Sequence, residues 1–354
     1  MIFEKRAPME ISPECAAKIA AFSFISAVFV VIMHADIFLH SGRTVQFVLR
    51  GLLSKGITQV AVPFFFIVSG FLLAGKMGQT GWWKRSVKSR IRSLVMPYVA
   101  WDVLYTGGIL VVLWLCRHGF EDSLANALIS VCPCGIDRWS HLPGLRELWV
   151  SADGPMWYVR SLFILVLLSP LYSVLRFDRY GVLMGVMFAL VFLLMFVVAP
   201  HSAIVAKFLK TTLEWRGCLY FGVGVWLRYN APTVSKRLYL LAGALGLVIW
   251  YVDCFLDACP FGYYFWIPLA MGAIWGLVPS LRIPRKVCRL SFPIFVIHDF
   301  VMWIMRGVLD YRAPALWKYI LASVSVRGIS SACAVLIGKI SVLDKIFFGG
   351  RWRK

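Results

Sequence analysis

The side chains of this chain that could do chemistry are the few titratable groups lying inside long apolar stretches. His34, with Asp36 two residues on, closes the first such stretch, and Arg160 sits in a fourth. Glu214 and Arg216 open a sixth, His298 and Asp299 are neighbours in a ninth, and Arg327 is in a tenth. Holding such groups in apolar surroundings costs free energy that function has to justify. An imidazole with a reference pKa near 6.5 can stay neutral and take a proton from a hydroxyl, which is the chemistry His34 and His298 offer. Each could equally be a hydrogen-bonded residue joining helices. No GxSxG elbow occurs, so an acyl-enzyme of the soluble-hydrolase kind is not indicated, and Ser69-Gly70 reads as a close helix contact rather than a nucleophile. Zinc-type ligand spacing is not seen, and no metal is expected.

The elements that must position these groups follow from composition. The chain has 354 residues, 60% hydrophobic and 15% charged, against roughly 45–50% and 25% in soluble domains. That excludes a soluble globule. The net charge of +20 would in a soluble protein suggest nucleic acid, but the basic residues lie between apolar runs with no aromatic-interleaved motif, so it points to an anionic membrane surface. Windows of about 20 residues, the length that crosses a hydrocarbon core, predict ten spans: 18–39, 58–75, 93–115, 156–175, 180–199, 212–228, 238–255, 264–281, 290–309 and 315–338. Spans of this length in lipid must be helical. The expected fold is therefore an all-α integral membrane bundle of about ten transmembrane helices.

With the N-terminus inside, the inner segments carry 23 Lys/Arg and the outer loops 11, so both termini are expected to be cytoplasmic. Residues 1–17 then form a cytoplasmic segment, 18–338 the membrane domain and 339–354 a basic cytoplasmic tail. The first apolar stretch is too long for a signal-peptide core and no small-residue cleavage site follows it. Nine cysteines are an odd number, leaving at least one unpaired. Cys132, Cys134, Cys254 and Cys259 fall in or near outer loops, where a cross-link from Cys132 or Cys134 to the Cys254/Cys259 turn is open.

Six segments carry a resemblance to a known family: FVVIMH at 29–34, VPFFFIVSGFLL at 62–73, the basic run from Arg85 ending in RSLVMPYVAW at Trp101, PMWYVRSLFILVLLSPL at 155–171, LYFGVGVWL at 219–227 and LSFPIFVIHDFV at 290–301. In this order and spacing, spread from about Ser23 to Phe348, they resemble acyltransferase family 3, bacterial integral-membrane O-acyltransferases that modify surface carbohydrates. The resemblance implies a ten-helix bundle in the plasma (inner) membrane. It also implies transfer of an acetyl or other small acyl group from acyl-CoA to a hydroxyl of a surface carbohydrate or its lipid-linked precursor. By position, His34 matches the family's first-helix histidine and takes the general-base role. His298 matches the histidine closing the ninth-helix motif, a candidate for substrate binding.

One departure stands out. The family usually has an arginine eleven residues before the first histidine, on nearly the same helix face, and here that position is Ser23. Another cation, Arg160 or one from the Lys84–Arg92 cluster, could take its place, or the donor site differs. Within that cluster the resemblance favours Arg85 and Arg92 for the phosphates of acyl-CoA, against plain positive-inside topology and lipid contact. Trp157 and Tyr158 start a helix and could stack on a sugar ring, against anchoring in an aromatic belt. Arg160, one turn deeper, needs a partner, for which Asp102 or Asp153 is available. No cofactor is expected to stay bound; acyl-CoA is a donor substrate. Because His34 falls toward the outer face and acyl-CoA is made inside, a kinked or broken helix lining a polar cavity is required. A sugar exporter, or an assembly subunit of a polysaccharide synthase, is the alternative reading.

Overall fold

The computed structural model describes residues 7–39, 44–117, 154–176, 215–230, 233–256, 262–310 and 313–352, with Leu193 and His201 besides. Every regular element among the described residues is helical. The first helix, α1 (Pro13–His34), begins as its residues dictate: Ser12 accepts the amide of Cys15 at 3.1 Å, Pro13 occupies the first turn with its fixed φ, and Glu14 faces the positive end of the dipole. It tightens past His34 into a 3-10 turn over Ala35–Leu39. A short helix α2 (Thr44–Leu49) and a π turn (Arg50–Ser54) return to this end, where Arg50 Nε sits 2.9 and 3.0 Å from the two carboxylate oxygens of Asp36.

Next come α3 (Ala61–Ala74), α4 (Trp82–Arg90) and α5 (Met96–Arg117). The last two are joined without a break by a π turn over Ile91–Val95. Pro97 has no N–H to give its helix, and the wider turn ahead of it absorbs the missing bond. Helix α6 (Trp157–Leu167) is short because Pro170 forbids its continuation; the chain proceeds through a four-residue helix (Ser169–Tyr172) and a 3-10 turn. Besides a single turn over Arg285–Cys288, the remaining described helices are α7 (Trp215–Asn230), α8 (Lys236–Leu256), α9 (Gly262–Leu277, with Pro268 inside it), α10 (Ser291–Val308), α11 (Leu316–Lys339) and α12 (Ser341–Phe348).

Among the described residues, five helical runs can cross a membrane by length and composition: Pro13–Leu39, Val45–Ala74, Lys236–Leu256, Ser291–Val308 and Leu316–Lys339. Gly154–Leu167 is a shorter apolar helix. The protein is thus a multi-pass helical membrane protein. The expected span over 180–199 lies outside the described residues. Helix α8 turns Leu241, Leu247 and Val248 outward at 60–66% exposure, an apolar face of the kind that suits a lipid environment. Around the interior, α10 packs between α1 and α11, α3 lies along α7, and α8 pairs with α9. Small residues permit the closest of these approaches: a Cβ on Gly70 would run into the Phe221 carbonyl, and one on Gly224 into the Ile67 carbonyl.

Candidate active site

Helices α1 and α10 set the site, and they run in the same direction. At one level the Ser291 hydroxyl donates to the Ser23 carbonyl at 2.8 Å; further along, His34 meets His298 with ring centroids 5.1 Å apart. His298 and Asp299 are fully buried, whereas the His34 side chain keeps 28% of its surface open. The Asp299 carboxylate lies 3.9 Å from His34 Nδ1, close enough for charge but longer than a hydrogen bond. Arg306, in the last turn of α10, donates to the His34 carbonyl at 3.4 Å, satisfying one of the acceptors that a helix end leaves free. The same cation holds the negative end of the α1 dipole.

The hydrogen bonds fix the tautomer of His298. Its Nδ1 lies 2.6 Å from the Phe295 carbonyl, which can only accept, so Nδ1 carries the proton and Nε2 presents a lone pair. That Nε2 is buried with no partner among the described residues, and a buried acceptor left unsatisfied is costly. For His34 the charge arrangement favours Nδ1–H toward Asp299, leaving Nε2 as the basic nitrogen. Asp299 then orients the ring and balances the imidazolium that forms when it takes a proton.

His34, His298 and Asp299 each place one ligand atom within 4.8 Å of the others. Bonds of about 2.0–2.1 Å to a shared zinc need ligand atoms roughly 3.4 Å apart, so the three would have to close in to hold an ion. Sequence spacing could not reveal this cluster, because its members lie on helices far apart in the chain.

The other expected site residues fall in three places. Tyr158 is buried among the rings of Phe65, Phe66 and Phe295, with its hydroxyl 3.5 Å from the Ser69 hydroxyl. This is the interior of the bundle, where a belt residue would instead face lipid headgroups. Trp157 packs beside it on Phe66. Arg160 is hydrogen-bonded to Tyr98 on α5, and Asp153 lies outside the described residues. Arg85 and Arg92 are exposed, Arg85 reaching only Gln79 at 3.5 Å. Phe295 joins the Tyr158 place to the histidine pair, since its ring is 5.4 Å from that of Tyr158 and 5.9 Å from that of His298.

At the Ser23 level, Lys18 is turned away, donating to the Trp275 carbonyl and lying 4.8 Å over its ring. The arginine from the 84–92 cluster that does turn inward is Arg90, on the face it shares with buried Ser86. Arg351 from the C-terminal segment joins it, and neither was singled out by the sequence patterns. Cys254 is a free thiol 3.6 Å from the Lys55 carbonyl, while Cys132, Cys134 and Cys259 lie outside the described residues.

Comparison with known proteins gives two findings. A family profile described as an acyltransferase domain matches residues 21–337, which includes most of α1, every helix from α2 to α10 and most of α11. The succinoglycan biosynthesis protein ExoH of Rhizobium meliloti (strain 1021) is 25% identical over 253 residues, 69% of this chain. The chain spans 62% of that relative's length. No solved structure matches the chain.

Proposed function

The chain belongs to this acyltransferase family, and on that premise we propose that it is a membrane O-acyltransferase moving an acetyl or other small acyl group from acyl-CoA to a carbohydrate hydroxyl. The acceptor is a cell-surface carbohydrate or its lipid-linked precursor, a class in keeping with the name of the relative. The reading includes ten membrane helices, both termini in the cytoplasm, and residence in a bacterial inner membrane. The observation that carries the chemistry is the meeting of His34 with His298 and Asp299 inside the bundle.

In the reaction the acceptor hydroxyl donates to His34 Nε2. His34 takes the hydroxyl proton as the oxygen forms its bond to the thioester carbonyl carbon. The carbon–sulfur bond then breaks, and the coenzyme A thiolate receives the proton from His34, leaving an ester on the sugar and a free thiol. His298, with its Nε2 lone pair unused, holds the acceptor by accepting from a neighbouring hydroxyl of the sugar. Trp157 and Tyr158 line the approach, and Arg160 through Tyr98 stiffens its wall. Arg85 and Arg92, exposed on the basic face, draw the polyanionic donor toward the bundle.

The test uses inverted membrane vesicles containing the full chain and given acetyl-CoA labelled in the acetyl group. Label entering the glycan fraction with the wild type and not with His34→Ala supports the reading. Equal labelling by His34→Ala would remove His34 from the chemistry.

A further inference from the structure

Two half-buried guanidinium groups are brought near one another with no acid among the described residues to balance them. Arg90 comes from the end of α4 and Arg351 from the opposite end of the sequence, where it donates to the Ser93 carbonyl three residues beyond Arg90; both act electrostatically on the Tyr158 hydroxyl, and Arg90 acts on Arg351. Among the described residues neither has a carboxylate partner. Asp344, the nearest acid in the sequence to Arg351, is fully buried and engaged by the Trp352 amide at 3.1 Å.

The placement of Arg351 is built, since several contacts fix the chain on both sides of it. After α12, Gly349 and Gly350 turn with φ of 66° and 72°, and a Cβ on Gly349 would strike the Ser93 backbone. The Gly350 amide closes onto the Asp344 carbonyl at 2.9 Å, and Trp352 packs on Gly338 so tightly that a Cβ there would overlap its ring. Arg351 itself donates to the Ser93 carbonyl at 3.0 Å and stacks 3.7 Å from the centroid of the Phe292 ring. Burial, and after it the charge of Arg90, push the Arg351 guanidinium down to about 9, with Tyr158 acting the other way. An arginine keeps its proton in proteins, so an anion brought here would be favourably bound.

We propose that Arg90 and Arg351 form a binding site for a phosphate or diphosphate group, occupied by the nucleotide diphosphate of the acyl donor. The occupant rests on the acyl-CoA reading above; the phosphate chemistry rests on the pair alone. Paired guanidiniums suit such a group because each presents a planar fork of donors. The position also suits the donor's length. Phe292, Phe295 and Asp299 follow one face of α10, and seven residues of helix carry the chain about 10 Å. A diphosphate held at Arg351 therefore lies within reach of the His34–His298 pair for the donor's pantetheine arm, past the Phe295 ring that touches both Tyr158 and His298.

The experiment measures binding of coenzyme A to the full chain in nanodiscs of zwitterionic lipid, with Arg351→Gln, Arg351→Lys and Arg90→Gln beside the wild type. Each Gln variant should weaken coenzyme A about tenfold or more, as expected for removal of a charged hydrogen-bonding partner. Arg351→Lys should recover part of the loss, and pantetheine, which has no phosphate, should bind all forms alike. The ligand-free melting midpoint of Arg351→Gln should hold or rise, because an unbalanced charge has gone; a purely structural arginine would lower it. Coenzyme A binding the wild type and the Gln variants equally overturns the site while leaving the acyl-CoA reading intact. If coenzyme A binds no form but added phosphatidylglycerol raises the wild-type midpoint and not that of Arg351→Gln, the phosphate site stands with a lipid occupant, and the acyl-CoA reading falls.

Discussion

At the scale of residues, the account turns on which nitrogen of each histidine is free. His298 is fixed by the Phe295 carbonyl 2.6 Å from Nδ1, whereas His34 is biased only by charge, with the carboxylate of Asp299 3.9 Å from its own Nδ1. Asp299→Asn should therefore lower kcat by about 10²–10⁴-fold with a smaller change in KM, through loss of orientation and of charge balance at His34. Vesicle labelling at graded acceptor concentrations measures the split, and an unchanged kcat would remove Asp299 from its positioning role. His34 was legible in the sequence because a titratable side chain in an apolar run is rare and its motif is specific. Asp299 stood beside His298 in the same run, but nothing in spacing could say that it faces α1. Arg90 was hidden among five cations of similar appearance, and only the burial of its helix face separates it from Arg85 and Arg92. Arg351 carried no signal, since a basic C-terminal segment reads as a tail.

At the scale of elements, the site depends on close helix approaches that leave no room for adjustment. Gly224 lies where a side chain would collide with the backbone of α3 at Ile67 and Phe71. Gly224→Leu should separate α3 from α7 and abolish the monodisperse folded peak in fluorescence-detected size exclusion, whereas Gly272→Ala, at an open position, should leave it intact. The turn after α12 makes the same demand with positive φ. Gly349→Val should displace Arg351 and weaken coenzyme A as much as Arg351→Gln does, read in the same nanodisc titration. Hydropathy located α1, α8, α10 and α11 to within a few residues, because each is a continuous apolar run. It overextended the fourth span, where Pro170 stops α6 after Leu167. It also could not separate a core tyrosine from a belt tyrosine at Tyr158, since both lie at a helix start in an aromatic stretch.

At the scale of the whole molecule, composition and charge asymmetry carry the argument. The excess of Lys/Arg on alternate connecting segments sets the proposed orientation, and the parallel course of α1 and α10 fits two helices that cross in the same direction. Alkaline phosphatase fused after residue 354 should be inactive, and fused within 118–153 active; the reverse pattern would invert the bundle and move the basic face away from acyl-CoA. The orientation was legible because the bias accumulates over many loops. The depth at which the histidine pair sits relative to the basic end was not, because it follows from packing between helices.

The central claim, acyl transfer to a surface carbohydrate with His34 in the chemistry, is tested most directly by mass spectrometry of surface glycans. The comparison sets the native host against a deletion strain and that strain complemented with the wild type or with His34→Ala. The account predicts an acyl-sized mass increment that disappears on deletion, returns with the wild type and fails to return with His34→Ala. Glycans that keep every acyl group in the deletion strain but fall in amount at the surface would contradict it and show the chain to be an exporter.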